Sequence, residues 1–188
     1  MKDNDLIAFF SGQLEAAVAK AGWSYTVLQN NQPTQEGVPT DPFVAFDKLF
    51  DKQYGWAESS YLLNAISPPG AALPDFANTE RQWVETTFQV TVLAPQDVTD
   101  TTKPTASDIA HYLKLYLNAR RTIAVFIAAG AAILRVTDIR NPKFKDDRDL
   151  FEMNPNFDVV LQHRRVIDFS VPGSDTVIGE IIGTSEMV

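Results

Sequence analysis

Histidine, arginine and paired acids are the residue types in this chain that could do chemistry. The stretch "FEMNPNFDVVLQHRRVIDF" (151–169) puts His163, Arg164 and Arg165 together. Within an alternating strand, His163 and Arg165 share the face of Val159 and Leu161, and Arg164 shares the other with Gln162. The strand is expected to leave the core at this end, so that its polar groups meet water or a neighbour. General acid–base catalysis needs an acid to orient the histidine and a substrate within reach. Splitting the three side chains between two faces gives no such convergence. The other histidine, His111, has no sequence spacing that ties it to His163. Two distant histidines without cysteine make no recognised zinc pattern. "KDDRD" (145–149) lacks the alternating ligands, glycine and closing glutamate of a calcium loop, and reads as a solvated hairpin tip. Phosphate loops, dinucleotide fingerprints and serine elbows are missing from the sequence. Trp23, Trp56 and Trp83 could stack on bases, but each sits near expected structure, where packing is the ordinary role of tryptophan. The expectation is a protein that is not an enzyme and holds no cofactor or metal.

The elements that carry these residues follow from periodicity. Residues 3–20 place Leu6, Phe9, Phe10, Leu14, Ala17 and Val18 at three- and four-residue spacings, and Gly22 is a natural stop. Residues 29–42 form a turn-rich loop. A strand begins at Phe43, with Val44, Phe46 and Lys48 on one face and Phe43, Ala45 and Asp47 on the other. The stretch 56–66 reads as two helical turns ended by Pro68 and Pro69. "ERQWVETTFQVTVLA" (80–94) is the clearest strand: Val84, Thr86, Phe88, Val90 and Val92 line one side. Thr105 and Asp108 make a capping arrangement for a long helix carrying Ile109, Leu113, Tyr116 and Leu117. It is expected to run on to Gly130, with a break allowed near Asn118. Strands at 131–141 and 151–169 follow, joined by a charged turn at 142–156. The apolar run Val177–Ile182, interrupted at Gly179, reads as an arm.

This is an α+β chain with about four strands, packed by an N-terminal helix and one long helix. The organisation expected is one domain over 1–169, an insertion at 51–79, and a C-terminal arm over 170–188. Its 188 residues suffice for one substantial core, and 45% hydrophobic against 21% charged residues is a globular balance. The longest apolar stretches, Thr122–Leu134 and Val177–Ile182, fall short of the roughly 20 residues needed to span a bilayer. The opening residues lack a signal-peptide pattern, because Asp3, Asp5 and Glu15 interrupt it. No cysteine is present, which excludes disulfides and fits a reducing compartment. A net charge of −8 makes phosphate gripping a poor expectation, since lysine and arginine supply most nucleic-acid affinity.

The order of elements is specific. A proline-bearing loop (Gln32-Pro33) leads to a long strand, an insertion and the "QVTV" strand (89–92). A helix then passes into "RVTDIRN" (135–141), and the "HRR" strand closes the set. Over residues 28–169 this order resembles the neck and tail-terminator proteins of tailed bacteriophages, particularly contractile-tailed ones. The resemblance implies a mostly antiparallel sheet packed by helices, in a subunit that assembles as a homo-oligomeric ring, usually a hexamer. It implies a virion protein of the head–tail junction, made in the host cytoplasm, that caps the tail tube and stops its polymerisation. The implied partners are the tail-tube protein, the tail-sheath protein and a neck or head-completion protein. Genomic DNA would pass through the channel without specific binding, and no membrane is involved. A head-completion or adaptor protein elsewhere in the neck is the alternative; a small cytoplasmic enzyme built around His163 is a more distant one. Assembly contacts are expected at Tyr54, Trp56, Tyr61, Leu62 and Phe76 of the insertion. Val177, Ile178 and Ile181 of the arm are expected to add a strand to a neighbouring sheet edge. Acid-bearing loops, Asp97 with Asp100 and Asp146 with Asp147, are the expected source of an acidic channel lining.

Overall fold

A computed structural model describes residues 1–30, 42–63, 76–94, 100, 102–145 and 151–171; for 61–63, 76–78, 143–145, 151–153 and 168–171 the description is of the backbone. The described elements, in chain order, are α1 (Asp3–Lys20), β1 (Thr26–Gln29), β2 (Phe43–Leu63), β3 (Phe76–Leu93), α2 (Ala106–Asn118) and α3 (Arg120–Ala128). They continue with β4 (Ala131–Val136), β5 (Lys143–Lys145), β6 (Phe151–Met153) and β7 (Asn156–Val171). A mostly antiparallel five-stranded sheet has the order β1-β2-β3-β7-β4, and β5 pairs with β6 as a separate small hairpin. The chain divides into two compact units. One holds Met1–Tyr54 and Trp83–Arg164; the other holds Gly55–Gln82 and Arg165–Val188.

In the first unit, α1 buries Leu6, Phe10, Leu14, Ala17 and Val18, the stripe that its spacing demands. Phe10 stacks on Phe88 at 4.7 Å and meets Phe46 edge-on at 5.5 Å, which fixes α1 over β2 and β3. Phe9, one position round the helix, stays partly buried and packs edge-on against Phe126 of α3. Ile109, Leu113 and Leu117 of α2 and Phe157, Val159 and Leu161 of β7 complete the core. The inward face of β3 is the one that alternation selects: Val84, Thr86, Phe88, Val90 and Val92 are all buried. Phe43 and Ala45 are buried as well, on the opposite side of β2 from Val44 and Phe46, so the sheet is covered on both faces there.

Three features depart from periodicity. First, α2 and α3 are separate helices. Ala119 sits between them with φ −68° and ψ 136°, an extended conformation that ends one helix and starts the next. The break allowed near Asn118 is there, and the expected single long helix is two. Second, 56–63 belongs to β2 and is strand, not two helical turns. Serine, alanine and glutamate there allow either state locally, and pairing with β3 decides it. Within the second unit the Ser60 hydroxyl donates to the Thr79 carbonyl at 3.4 Å, one of the ties across that pair. Third, β1 is a short edge strand, parallel to β2 in the register Thr26↔Phe43 to Gln29↔Phe46. Four residues are too few to show a period. A parallel pair needs a connection of about a dozen residues, and 30–42 supplies it.

Two glycines mark required backbone turns. Gly130, at φ +81°, ends α3 and turns the chain directly into β4. Gly55, at φ +76° inside β2, is the first residue of the second unit. Along β4 the pairing with β7 slips between Ile133 and Arg135, leaving Leu134 as a bulged and half-exposed residue.

Candidate functional site

Three neighbouring strands each place one polar side chain in an otherwise apolar inward row: Lys48 on β2, Thr86 on β3 and His163 on β7. His163 is buried, 3% exposed, which corrects the expectation of a strand end already in water. The strand leaves the core after His163: Arg165 is exposed. Arg164, on the other face, lies with its guanidinium 5.9 Å from the centre of the Trp83 ring.

The hydrogen bonds around His163 fix its tautomer. The Thr86 hydroxyl donates to Asp51 Oδ1 at 2.7 Å and lies 3.1 Å from His163 Nε2. A hydroxyl has one proton, and here it goes to the carboxylate, so Nε2 must carry a proton and donate to the threonine oxygen. Nδ1 is then a bare acceptor, buried and without a partner among the described residues. Burial holds the His163 pKa below its ordinary value, with the N-terminal ammonium and Lys48 adding to it and Asp51 and Asp3 opposing. The ring is therefore neutral at pH 7.

Lys48 closes the network on its other side. Its ammonium donates to Asp3 Oδ1 of α1 at 2.5 Å and to Asp51 Oδ2 at 2.7 Å. Burial disfavours charge on both Lys48 and Asp51. Their mutual contact, with Asp3 beside Lys48 and Thr86 beside Asp51, outweighs it, raising the lysine pKa and lowering the aspartate pKa. The chain's N-terminal amine donates to the Arg164 carbonyl at 2.6 Å, bringing the start of α1 to β7. The network thus ties α1 to three strands. Asp3, Lys48, Asp51 and Thr86 were not singled out from sequence. Their signal was parity, since Lys48, Thr86 and His163 share the faces of buried valine, phenylalanine and leucine.

The arrangement suits structure better than nucleophilic chemistry. A threonine nucleophile needs to give its proton to the histidine, whereas Thr86 gives it to Asp51 and receives one from His163. A groove of about 490 Å³ elsewhere in this unit runs between α1, β1 and β2, lined by Ile7, Ser11, Glu15, Val27, Leu28 and Phe46 among others. None of the network residues lines it. Among the described residues no group of three or more His, Asp or Glu is placed to hold a metal ion. No described helix is long and apolar enough to cross a membrane.

The residues expected to make assembly contacts fall into four groups. In the first unit the Tyr54 hydroxyl accepts a hydrogen bond from the Gln162 amide and is half-buried. In the second unit Trp56 is 98% exposed, an extreme for the largest apolar side chain. Tyr61, Leu62 and Phe76 lie in β2 and β3 with side chains outside the described residues, and Val177, Ile178 and Ile181 lie outside them altogether. Of the acids expected to line a channel, Asp97, Asp146 and Asp147 also lie outside, while Asp100 accepts hydrogen bonds from Thr102 and pairs with Lys103. Leu49 and Phe50 of β2, exposed at 46% and 57%, were not anticipated.

Comparison with known proteins then assigns the chain. No curated protein matches it. The family model described as "E217 gateway protein gp29" matches residues 5–173, which takes in α1 from Asp5 onward, all of the described strands and the polar network from Lys48 to His163. A match over most of the chain, together with the α+β architecture, shows that this protein belongs to that family of bacteriophage gateway proteins, structural components of the head–tail junction.

Proposed function

We propose that the chain assembles as a ring, sixfold in symmetry, at the head-proximal end of a contractile tail. There it ends polymerisation of the tail tube and sheath and joins the tail to the neck. The family match over residues 5–173 carries the junction part of this reading. Exposed Leu49, Phe50 and Trp56 support the assembly part, since large apolar side chains left in water are what an interface covers. Its partners are further copies of itself, the tube protein, the sheath protein and a neck protein. DNA passes through without being held, in keeping with a net charge of −8. In this reading the chain has no catalytic role, which the Thr86 proton, directed at Asp51, and the burial of His163 support.

Electron microscopy of particles made without this chain tests the reading. Tails of unregulated length, detached from filled heads, are the expected product. Tails of normal length that fail to join heads would instead make the chain an adaptor on the portal side of the neck.

A further inference from the structure

Helix α3 lies across the core on Thr122 and Phe126 and turns the rest of its surface outward. That outward face holds Arg120, Arg121, Ala124, Val125, Ile127 and Ala128, all exposed, with Ile127 at 62%. Its composition is unusual for this chain. It has no acid, in a protein of net charge −8, and its apolar residues are left in water. The two arginines also stand at the unfavourable end of the helix. They occupy the first turn, where the dipole is positive, with no acid in that turn and no side-chain cap from Ala119. Among the described residues neither forms an ion pair. The helix would be more stable on its own with other residues there, so the arginines are explained by something outside the subunit.

Helix α1 offers the complement. Five of its exposed positions, Asp5, Ala8, Glu15, Ala16 and Ala19, fall on one side at three-, four- and seven-residue steps, presenting two acids among small residues; exposed Asn4 flanks this side, and Lys20 stands at the far end of the helix. Short side chains allow interaxial distances at the lower end of the usual range of about 8–10 Å. A ring closed by rotation needs two different, mutually complementary patches on every copy. We infer that the exposed face of α3 docks on the exposed face of α1 of a second copy, Arg120 and Arg121 meeting Asp5 and Glu15 around an apolar centre of Ala124, Val125 and Ile127. The carboxylates of the neighbour also supply the negative charge that the start of α3 lacks. This interface rests on the ring reading above.

The test is charge reversal read by incorporation into particles, with thermal unfolding of the full chain as a control. Arg120→Glu with Arg121→Glu places like charges across the contact and lowers incorporation by about tenfold or more. The same change matches the α3 dipole, so the unfolding temperature holds or rises; a residue needed only for folding would lower it. Adding Glu15→Lys to the reversed chain restores incorporation in part; Asp5 is kept because it caps the start of α1 by accepting from the Lys2 amide. Normal incorporation of the Arg120→Glu, Arg121→Glu chain overturns the inference, and so does failure of the threefold variant to recover any of the loss. A cryo-EM map showing wild-type copies at the junction in no ring at all removes the ring reading itself, and the interface with it.

Discussion

At the scale of single residues, the decisive atom is the Thr86 hydroxyl oxygen, which donates to one strand and accepts from another. Thr86→Val removes both bonds and strands the His163 Nε2 proton in the core, at a cost of about 1–3 kcal/mol measured by chemical denaturation. Asp51 loses less, because it keeps contact with water. Adding His163→Leu to Thr86→Val recovers most of the loss, since removing both partners leaves no buried donor unmet. His163 also sets a pH dependence. Its pKa in the fold lies below the ordinary 6.5, so between those two values the unfolded chain binds more protons than the folded one. Its contribution is whole above about pH 6.5 and falls away as the pH drops through the window to the folded value. Asp51, lowered from 3.8, adds a separate loss at more acid pH. Unfolding temperatures recorded from pH 8 downward should show the first step in the wild type and lose it in His163→Leu.

The elements differ in how well their ends are made. Helix α2 starts on a reciprocal cap, in which Thr105 Oγ1 accepts from the Asp108 amide at 3.2 Å and Asp108 Oδ2 accepts from the Thr105 amide at 3.0 Å. Helix α3 starts on Ala119 with no side-chain cap. Thr105→Ala should cost about 1 kcal/mol, and Ala119→Asp should gain a smaller amount, because aspartate caps the free amides of α3 and meets its dipole but also stands against the negative end of α2. Urea denaturation of the two variants checks the opposite signs. Gly130 is a third test at this scale. A side chain there would meet open space, yet φ +81° disfavours one, so Gly130→Ala should lose about 1 kcal/mol through backbone strain alone.

On the scale of the whole molecule, stability and assembly are written on different residues. Trp56 contributes almost nothing to the fold while 98% exposed, so Trp56→Ala should leave unfolding within about 0.5 kcal/mol of wild type. If Trp56 anchors a neighbour, as the proposed function requires, the same variant enters particles poorly, because buried tryptophans rank among the strongest contributors at interfaces. Normal entry would make Trp56 a passive surface residue. Deleting 58–76 is the larger version of this test: a folded subunit that fails to assemble is the expected outcome.

What the sequence determined by itself is what short-range periodicity encodes. The buried stripes of α1 and of β3, the Thr105 cap and the stop at Gly130 were legible because each depends on residues within one turn or one strand. The architectural class was legible through the order of elements. Tertiary structure alone decided the rest. Residues 56–63 are strand because β3 lies beside them, and β1 exists because an edge of β2 was open to it. The network was hidden for the same reason: Asp3, the Lys48–Asp51 pair of β2, Thr86 and His163 are far apart in the chain and meet only when three strands and α1 are in register. Parity placed His163 on the correct face, but how far along the strand the core extends is set by what packs against it. That is a property of the neighbours, and no local pattern carries it.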